Sequence, residues 1–268
     1  MFIIGVASSM FGSLVGLGGG LIFVPVLLFL SNYYDAFSWV NPQSVVAMSL
    51  LLMIFTGLSS TLTYLKGKRV DVKSGFIFLI GSIPGALTGV WLNKYFHTGT
   101  FELYFGILVI ILSILLIIKD KVQNITLAGN RKQKKFYVHR TIFLYNKEIT
   151  YSYSVILGIM IAFIVGMLSG LFGIGGGSLM VTAMILLFGF PVHIAAPTSM
   201  FMIFFSSLTS SSAHIIAGNV VWLYALASIP GAWIGGILGA KLNQKLQGNI
   251  IEWILRLVML VMGFNLIF

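Results

Sequence analysis

Long apolar runs separated by short polar stretches dominate the hydropathy pattern of this chain. Eight runs follow one another: Met1–Leu30, Ser44–Leu65, Val72–Asn93, Gly99–Ile118, Ser152–Phe190, Ile194–Ala217, Val220–Ala240 and Ile250–Phe268. A helix that crosses the hydrocarbon core of a bilayer needs about 20 apolar residues. The runs are continuously apolar, without the alternation typical of transmembrane strands. We therefore predict an all-α integral membrane protein.

The composition supports this class. Hydrophobic residues make up 58% of the 268 residues and charged residues only 8%, whereas soluble proteins carry roughly 25% charged residues. The chain has no cysteine, which excludes disulfides, iron–sulfur ligation and thiol chemistry. Because the N-terminal run has no basic flank and recurs inside the chain, we expect it to be retained and not cleaved as a signal peptide.

The one sizeable polar stretch lies between the fourth and fifth runs, at residues 119–150. It contains half of the sixteen basic residues: Lys119, Lys121, Arg131, Lys132, Lys134, Lys135, Arg140 and Lys147. Basic residues mark the cytoplasmic side of a membrane protein. We therefore interpret the net charge of +10 as a topology signal, expect no nucleic-acid partner, and place this linker in the cytoplasm at the plasma (inner) membrane.

Three sequence blocks recur in the same order. Val15–Pro25 matches Phe172–Thr182, Val45–Val70 matches Ala195–Val220, and Gly81–Leu92 matches Ala227–Leu238, at offsets of 157, 150 and 146. The chain thus divides into a first repeat (1–118), the linker (119–150) and a second repeat (151–268). An internally duplicated membrane bundle with glycine-interrupted segments is typical of secondary transporters.

The first segment of each repeat is too long for one span. Ser152–Phe190 would form about 59 Å of helix, nearly twice the bilayer core. Glycine clusters at Gly16–Gly20 and Gly173–Gly177 predict a break in each.

The basic residues bear on how the segments cross the membrane. If every segment crosses, basic residues divide 12 to 3 between the two sides. If each broken segment is a re-entrant hairpin, the repeats are inverted and the division is 14 to 1, which favours inversion.

The glycine clusters are candidate binding elements. After each break a new helix begins, and its free N–H groups and positive dipole end suit an anion. The residues predicted to supply backbone donors are Gly18, Gly19, Gly20, Gly175, Gly176 and Gly177. Spacing by four residues, as in Gly12, Gly16 and Gly20, is also how membrane helices pack closely, and this alternative stays open. Gly81, Gly85, Gly89, Gly231, Gly235 and Gly239 are assigned to packing.

Hydroxyl groups dominate the second helix of each repeat. Ser49, Thr198 and Ser199 are predicted to donate hydrogen bonds to an anion without the cost of burying a charge. Ser and Thr hydroxyls also bond back to their own helix, and this alternative is favoured for residues 209–212.

Ionisable residues are scarce inside the runs. No Asp or Glu lies in the middle of one, so a carboxylate proton relay is unsupported. His193 and His214 lie near predicted helix ends and are interpreted as ordinary interfacial residues. Because no metal-ligand spacing, nucleotide loop or nucleophile–base pair occurs, we expect no cofactor, no metal and no enzymatic activity.

The paired GLGGG and GIGGG turns, the VAMS and APTS helix starts and the duplicated SIPGA segments resemble the sulfite exporter TauE/SafE family of membrane permeases. The resemblance covers nearly all of the chain outside the linker. It implies a multi-pass transporter of sulfite, sulfonates or related small anions. One departure is Met48–Ser49, where the second repeat has Thr198–Ser199.

We therefore predict a secondary transporter of a small, sulfur-containing anion that works by alternating access around a midplane site, with the anion and the lipid bilayer as its partners. Two alternatives stay open: a non-transporting membrane scaffold and a passive anion channel. The sequence leaves the exact anion, the direction, the coupling ion and the oligomeric state undetermined.

Overall fold

The computed structural model describes residues 1–96, 137–144 and 147–251, with scattered helical positions between 101 and 114 and between 251 and 261. The fourth and eighth predicted segments and most of the 119–150 linker therefore lie largely outside the described residues.

The described residues include eight helices with defined bounds and one β-hairpin, besides the scattered helical positions named above. The helices are α1 (Phe2–Val15), α2 (Gly20–Tyr33), α3 (Pro42–Lys66), α4 (Val72–Asn93), α5 (Val155–Phe172), α6 (Gly177–Leu186), α7 (Val192–Ile216) and α8 (Trp222–Lys245), and the strands are β1 (Tyr137–Leu144) and β2 (Lys147–Ser154). A short 3₁₀ turn, Asp35–Phe37, follows α2. In the described part of the chain, α3, α4, α5, α7 and α8 are long and apolar enough to cross a membrane, so the prediction of a helical membrane protein is confirmed.

Each long first segment is divided by a glycine turn. α1 ends at Gly16 and α2 begins at Gly20, while α5 ends at Gly173 and α6 begins at Gly177. Three glycines in each turn have φ between +63° and +96°, a region that residues with a Cβ rarely adopt. A Cβ added to Gly19 would lie 3.0 Å from the carbonyl oxygen of Ser8. The chain thus turns back beside the helix it has just left.

The first helix of each half packs against a helix of the other half: α1 against α8, and α5 against α4. The α4–α5 contact brings Gly81, Gly85 and Gly89 against the carbonyl groups of Ile159, Phe163 and Met167, and the α1–α8 contact brings Gly231, Gly235 and Gly239 against those of Phe2, Val6 and Met10. A Cβ at any of these six glycines would lie 2.0–2.4 Å from the facing oxygen. Such backbone approach is the packing mode of small residues in membrane helices.

Contacts at the two ends of the bundle fix the helix directions. At one end, Arg69 Nη2 donates to the carbonyl of Gln244 (3.2 Å) and Gln244 Nε2 to that of Thr63 (3.3 Å), so α3 and α8 end together. At the other end, the Tyr224 hydroxyl at the start of α8 donates to the Ala36 carbonyl, just before α3 (2.9 Å). α3 and α8 therefore run in the same direction.

Because five-residue loops connect α3 to α4 and α7 to α8, α4 and α7 run in the direction opposite to α3 and α8. Equivalent helices of the two halves thus point in opposite directions, as the inverted alternative requires. This arrangement also puts the basic loop at 66–73 at the same end as Lys241 and Lys245, while Lys94 lies at the other end.

The predicted offset of 146 for the third sequence block is wrong by one helical turn. The amide of Asn93 on α4 donates to the Leu171 carbonyl at 2.7 Å, and the amide of Asn243 on α8 donates to the Leu14 carbonyl at 2.6 Å. These bonds and the glycine contacts relate α4 to α8 at an offset of 150. Small residues recur every four positions here, so a match of the SIPGA letters slips by one turn without changing the pattern.

The β-hairpin is a departure from the all-α prediction. Tyr137–Leu144 and Lys147–Ser154 pair antiparallel, with Arg140 opposite Tyr151 and Val138 opposite Tyr153. Both strands are rich in β-branched and aromatic residues, which favour a pleated, half-buried surface. The bundle end that carries this hairpin, the 67–71 loop and the end of α8 is called the hairpin end, and the other is called the opposite end.

Candidate anion-binding site

The two glycine turns lie side by side inside the bundle. A Cβ added to Gly20 would lie 2.2 Å from the Gly173 carbonyl oxygen, and one added to Gly177 would lie 2.4 Å from the Gly16 carbonyl oxygen. The start of each new helix therefore meets the end of the other half's broken helix. The backbones of the two halves come as close as glycine permits.

Ser49 and Ser199 join the two turns by crossed hydrogen bonds. Ser49 Oγ donates to the Gly173 carbonyl at 2.6 Å, and Ser199 Oγ donates to the Gly16 carbonyl at 2.8 Å. Both serines are fully buried. Each hydroxyl satisfies a carbonyl that the end of a helix leaves without an intrahelical partner. In this conformation their protons are committed to the protein, and their oxygens can only accept further bonds.

Thr198 faces a different part of the molecule. Its hydroxyl oxygen accepts a hydrogen bond from the backbone N–H of Asp71 at 3.0 Å, in the loop before α4. Of the predicted hydroxyl donors, the structure brings Ser49 and Ser199 to the glycine turns and places Thr198 toward the hairpin end.

Two apolar side chains fill the space between the turns. A Cβ added to Gly18 would lie 3.0 Å from Ile203 Cδ1 and 3.2 Å from Met53 Sδ, and one added to Gly175 would lie 2.2 Å from Met53 Sδ. Met53 and Ile203 are buried and occupy equivalent positions in α3 and α7. Because the Met side chain is flexible, its position controls how closely a ligand could approach both turns.

A small cavity adjoins the second turn. Its lining consists of Ser82, Val165, Gly175, Gly176, Gly177, Met180, Ser199, Met202, Ile203 and Ser206. The volume of about 10 Å³ corresponds to roughly one water molecule. Ser82, contributed by α4, was not a predicted site residue. It could not be recognised from the sequence because its position depends on how the two halves pack.

The corresponding region of the first half has different side chains. At the established offsets, Phe23 stands in place of Met180, Leu52 in place of Met202, and Ala232 in place of Ser82. Phe23 is fully buried. The two glycine turns thus share a backbone geometry but have different surroundings.

The electrostatics of the turns come from backbone groups. α2 and α6 each begin at a glycine turn and carry no acidic residue in the first turn. Their first N–H groups lack intrahelical acceptors and carry the positive end of the helix dipole. The described residues contain no group of three His, Asp or Glu that could hold a metal ion. Backbone N–H groups of this kind are hydrogen-bond donors suited to a small anion.

Other predictions about α7 have mixed outcomes. Thr209 and Ser212 bond back to the carbonyls of Phe205 and Leu208, at 3.0 and 2.8 Å, which confirms the prediction for these two hydroxyls. His214 lies in the last turn of this helix, near its end as predicted, but its side chain is only 1% exposed.

A buried polar cluster at the hairpin end was missed by sequence reasoning. The Tyr151 hydroxyl donates to Asp71 Oδ2 at 2.8 Å, Arg140 Nε lies 3.7 Å from the same oxygen, and Ser74 Oγ donates to this carboxylate. Burial and the neighbouring Asp71 charge raise the pKa of Tyr151 above its ordinary value. The only sequence signal was an Asp immediately before a helix, the usual N-cap position.

Comparisons with known proteins agree with this architecture. The family model for "Sulfite exporter TauE/SafE" matches residues 1–266. The chain is 49% identical over 268 residues to "Probable membrane transporter protein YunE" of Bacillus subtilis (strain 168), covering 100% of this chain and 96% of that one. No solved structure gives a significant match.

More distant relatives carry similar names. A "Probable membrane transporter protein" of Haemophilus influenzae is 24% identical over 242 residues, covering 90% of this chain and 83% of the relative. "Probable membrane transporter protein MJ0441" of Methanocaldococcus jannaschii is 25% identical over 273 residues, covering 98% and 92%. Family and relatives together indicate a multi-pass membrane transporter. The chain belongs to the sulfite exporter TauE/SafE family.

Proposed function

We propose that this protein transports a small, sulfur-containing anion such as sulfite or an organosulfonate across the cell membrane. The observation that carries the proposal is the meeting of the two glycine turns, where the starts of α2 and α6 lie beside the crossed Ser49–Gly173 and Ser199–Gly16 bonds. In this proposal Gly19, Gly20, Gly175, Gly176 and Gly177 supply the amide donors. Gly18 joins them when its N–H leaves the Gly12 carbonyl, to which it donates at 3.2 Å.

Substrate binding requires the apolar side chains to move. Met53 and Ile203 lie between the turns and the cavity is too small for an oxyanion, so the conformation corresponds to an occluded state. Displacing Met53 exposes both helix starts. The Ser49 and Ser199 hydroxyls can donate to the anion once they leave the Gly173 and Gly16 carbonyls. Thr198 can join them only when its hydroxyl leaves the Asp71 N–H.

Alternating access follows from the opposed directions of the two halves. A conformation that opens one turn toward the hairpin end has a counterpart in which the other half opens toward the opposite end. We assign the hairpin end to the cytoplasm because Lys66, Lys68, Arg69, Lys73, Lys241 and Lys245 lie there, in keeping with the positive-inside rule.

The proposal is tested by uptake of ³⁵S-sulfite or a labelled sulfonate into proteoliposomes under an imposed proton or sodium gradient. Gly175→Ala should abolish uptake, because a methyl group there would lie 2.2 Å from Met53 Sδ. The matched control is Gly218→Ala, which imposes the same left-handed backbone strain (φ +74° against +72°) with no atom within 4 Å of the added carbon. The control should keep uptake near the wild-type rate.

Three outcomes would contradict the proposal. Absence of anion movement in either gradient direction favours a membrane scaffold. Equilibration without uphill accumulation indicates a passive channel. Equal loss of uptake in both glycine variants would assign the effect to backbone strain and not to the space between the turns.

A further inference from the structure

A row of buried polar side chains continues along α7 from the cavity toward the opposite end. We call it the polar track, and it consists of Ser206, Ser207, Ser210, Ser211 and His214. All five are at most 3% exposed. Ser206 lines the cavity, and His214 lies in the last turn of α7. The polar track therefore connects the cavity to the opposite end.

Most of the polar track has no hydrogen-bond partner in the part of the chain that the structure describes. The hydroxyls of Ser207, Ser210 and Ser211 and the Nε2 of His214 are buried without one. His214 Nδ1 is 3.1 Å from Asn219 Nδ2. A buried polar atom left without a partner costs roughly 1–3 kcal/mol, and native proteins contain few of them. Four within two helical turns therefore point to a ligand or to water that enters this route.

Three of the five equivalent positions of α3 have partners on α1. Thr56 is 2.7 Å from the Ser9 hydroxyl, Ser60 Oγ donates to Ser13 Oγ at 2.6 Å, and the Tyr64 hydroxyl donates to the Ser13 carbonyl at 2.8 Å. Gly57 stands in place of Ser207, and Thr61, the equivalent of Ser211, is buried without a partner in the described residues. The first half thus has one buried hydroxyl without a partner where the polar track has three.

Two substitutions between the halves explain why Ser206 and Ser210 lack the hydroxyl partners that Thr56 and Ser60 have. Gly166 and Gly170 stand where the first half has Ser9 and Ser13. A Cβ at Gly166 would lie 2.2 Å from the Ser82 carbonyl, and one at Gly170 would lie 2.1 Å from the Ala86 carbonyl. The tight α4–α5 contact therefore excludes side-chain hydroxyls that could pair with the polar track.

We propose that the polar track lines the hydrated route by which the anion moves between the cavity and the opposite end, and that in this conformation the equivalent positions of the first half are closed to water and anion. This inference rests on the proposed transport function. The chemistry fits an oxyanion: hydroxyls and an imidazole N–H donate to oxygen, and the five residues include no carboxylate. The route is asymmetric although the backbone of the two halves is duplicated.

The route is tested by cysteine accessibility, for which the cysteine-free chain needs no background mutations. Ser210→Cys and its repeat equivalent Ser60→Cys are reacted in nanodiscs with the anionic reagent sulfonatoethyl methanethiosulfonate. Ala217→Cys, exposed in the loop after α7, serves as the fully reactive reference. We expect Ser210→Cys to react at least 10-fold faster than Ser60→Cys, and excess sulfite to slow the reaction.

Equal rates at the two positions, a faster rate for Ser60→Cys, or no reaction at either would overturn the inference. Labelling does not depend on transport. If wild-type protein moves no sulfite but Ser210→Cys still reacts selectively, the route stands and the proposed substrate fails.

A second measurement separates the route from a purely structural role. Ser210→Ala should lower sulfite flux at least 10-fold while Tm stays at or above the wild-type value, since it removes an unpartnered hydroxyl. Ser60→Ala should lower Tm and keep the flux per folded molecule. The reverse pattern, with flux lost in Ser60→Ala and kept in Ser210→Ala, would contradict the inference.

Discussion

The α1–α8 and α4–α5 contacts are two solutions to the same packing problem. Both rest on three glycines that face three carbonyls and on one asparagine that donates to the end of the neighbouring helix. We call these glycine–carbonyl contacts and asparagine bonds the frame. The two helix contacts differ in the side chains around the frame. The α1–α8 contact includes the hydroxyls of Ser9 and Ser13, whereas the α4–α5 contact has Gly166 and Gly170 there and adds the β-hairpin at one end.

The comparison separates what holds the fold from what distinguishes the halves. Backbone approach and the asparagine bonds are shared, so they belong to the fold. Among the described residues, the hydroxyl pairing of Ser9 and Ser13 lies on the α1–α8 side, and the cavity and the Asp71 cluster lie on the α4–α5 side. These features can specialise one half while the frame stays intact. Variants at equivalent positions of the frame should therefore lower stability by equal amounts. Variants at equivalent positions outside the frame should have unequal effects.

The largest effect is expected from placing a side chain between the glycines and the carbonyls of the frame. Gly85→Val and Gly235→Val would place a Cβ 2.1 and 2.4 Å from the carbonyls of Phe163 and Val6, and the helices can only separate. We expect each to cost about 3 kcal/mol or more, seen as loss of monodisperse protein in size-exclusion chromatography. Leu87→Val, on the exposed face of α4, should be tolerated. A difference between the two glycine variants would mean that the contacts are not equivalent.

Removing the asparagine bonds should have the next largest effect, again equal in both copies. Asn93→Ala and Asn243→Ala each leave a buried carbonyl, that of Leu171 or Leu14, without its donor, at about 1–3 kcal/mol. Thermal unfolding in detergent should give similar losses of Tm, and the double variant should lose approximately the sum. A marked loss for only one would indicate that one bond is dispensable.

The hairpin supports only the α4–α5 side. Tyr151→Phe removes the hydroxyl that donates to Asp71, a bond to a charged group worth about 1.5 kcal/mol. Tyr153→Phe removes a bond to the neutral Ser74 hydroxyl and should cost less. Unfolding by denaturant measures both, and a larger loss for Tyr153→Phe would contradict the role given to Asp71.

The same tyrosine should make the fold sensitive to alkali. Burial and the Asp71 charge raise the pKa of Tyr151 above its ordinary value of 10.0. The unfolded chain therefore releases this proton first as pH rises, and the stabilising contribution is lost above about pH 10. Wild-type Tm should fall more steeply between pH 9 and 11 than that of Tyr151→Phe. Parallel curves would contradict this assignment.

The smallest effect is expected from the Ser9–Thr56 hydroxyl pair, which joins α1 to α3. Ser9→Ala removes one bond to Thr56, which keeps its bond to the Leu52 carbonyl, so the cost should be about 0.5–1 kcal/mol. The change should be visible as a small decrease in Tm without loss of uptake. A decrease as large as that of Asn243→Ala would show that the hydroxyls belong to the frame.

Several elements of the fold could be predicted from local pattern alone. The apolar runs predicted α3, α4, α7 and α8 to within a few residues, and for α4 the bounds are the same. The β-hairpin was missed because its polar, basic sequence was interpreted only through its charge. The helix register was misjudged because small residues every four positions make a one-turn shift invisible in the letters.

The candidate site was predictable only in part. Glycine clusters in both repeats predicted the turns, and the hydroxyl pattern predicted Ser49 and Ser199 near them. Ser82 could not be foreseen, since it reaches the cavity from a helix of the other half. The sequence also gave no indication that Met53 and Ile203 close the space between the turns, because apolar residues in an apolar helix carry no distinguishing signal.

The sequence by itself determined the membrane setting, the helical spans and the places where two of them must break, because hydropathy, length and glycine are local properties. Only the tertiary structure decided which helices pair, which repeat positions are equivalent and which hydroxyls find partners. Those depend on contacts between residues that are far apart in the sequence, as in the bond from Ser49 to Gly173. The difference between the halves likewise arises because Gly166 and Gly170 must fit against α4, a helix of the other half.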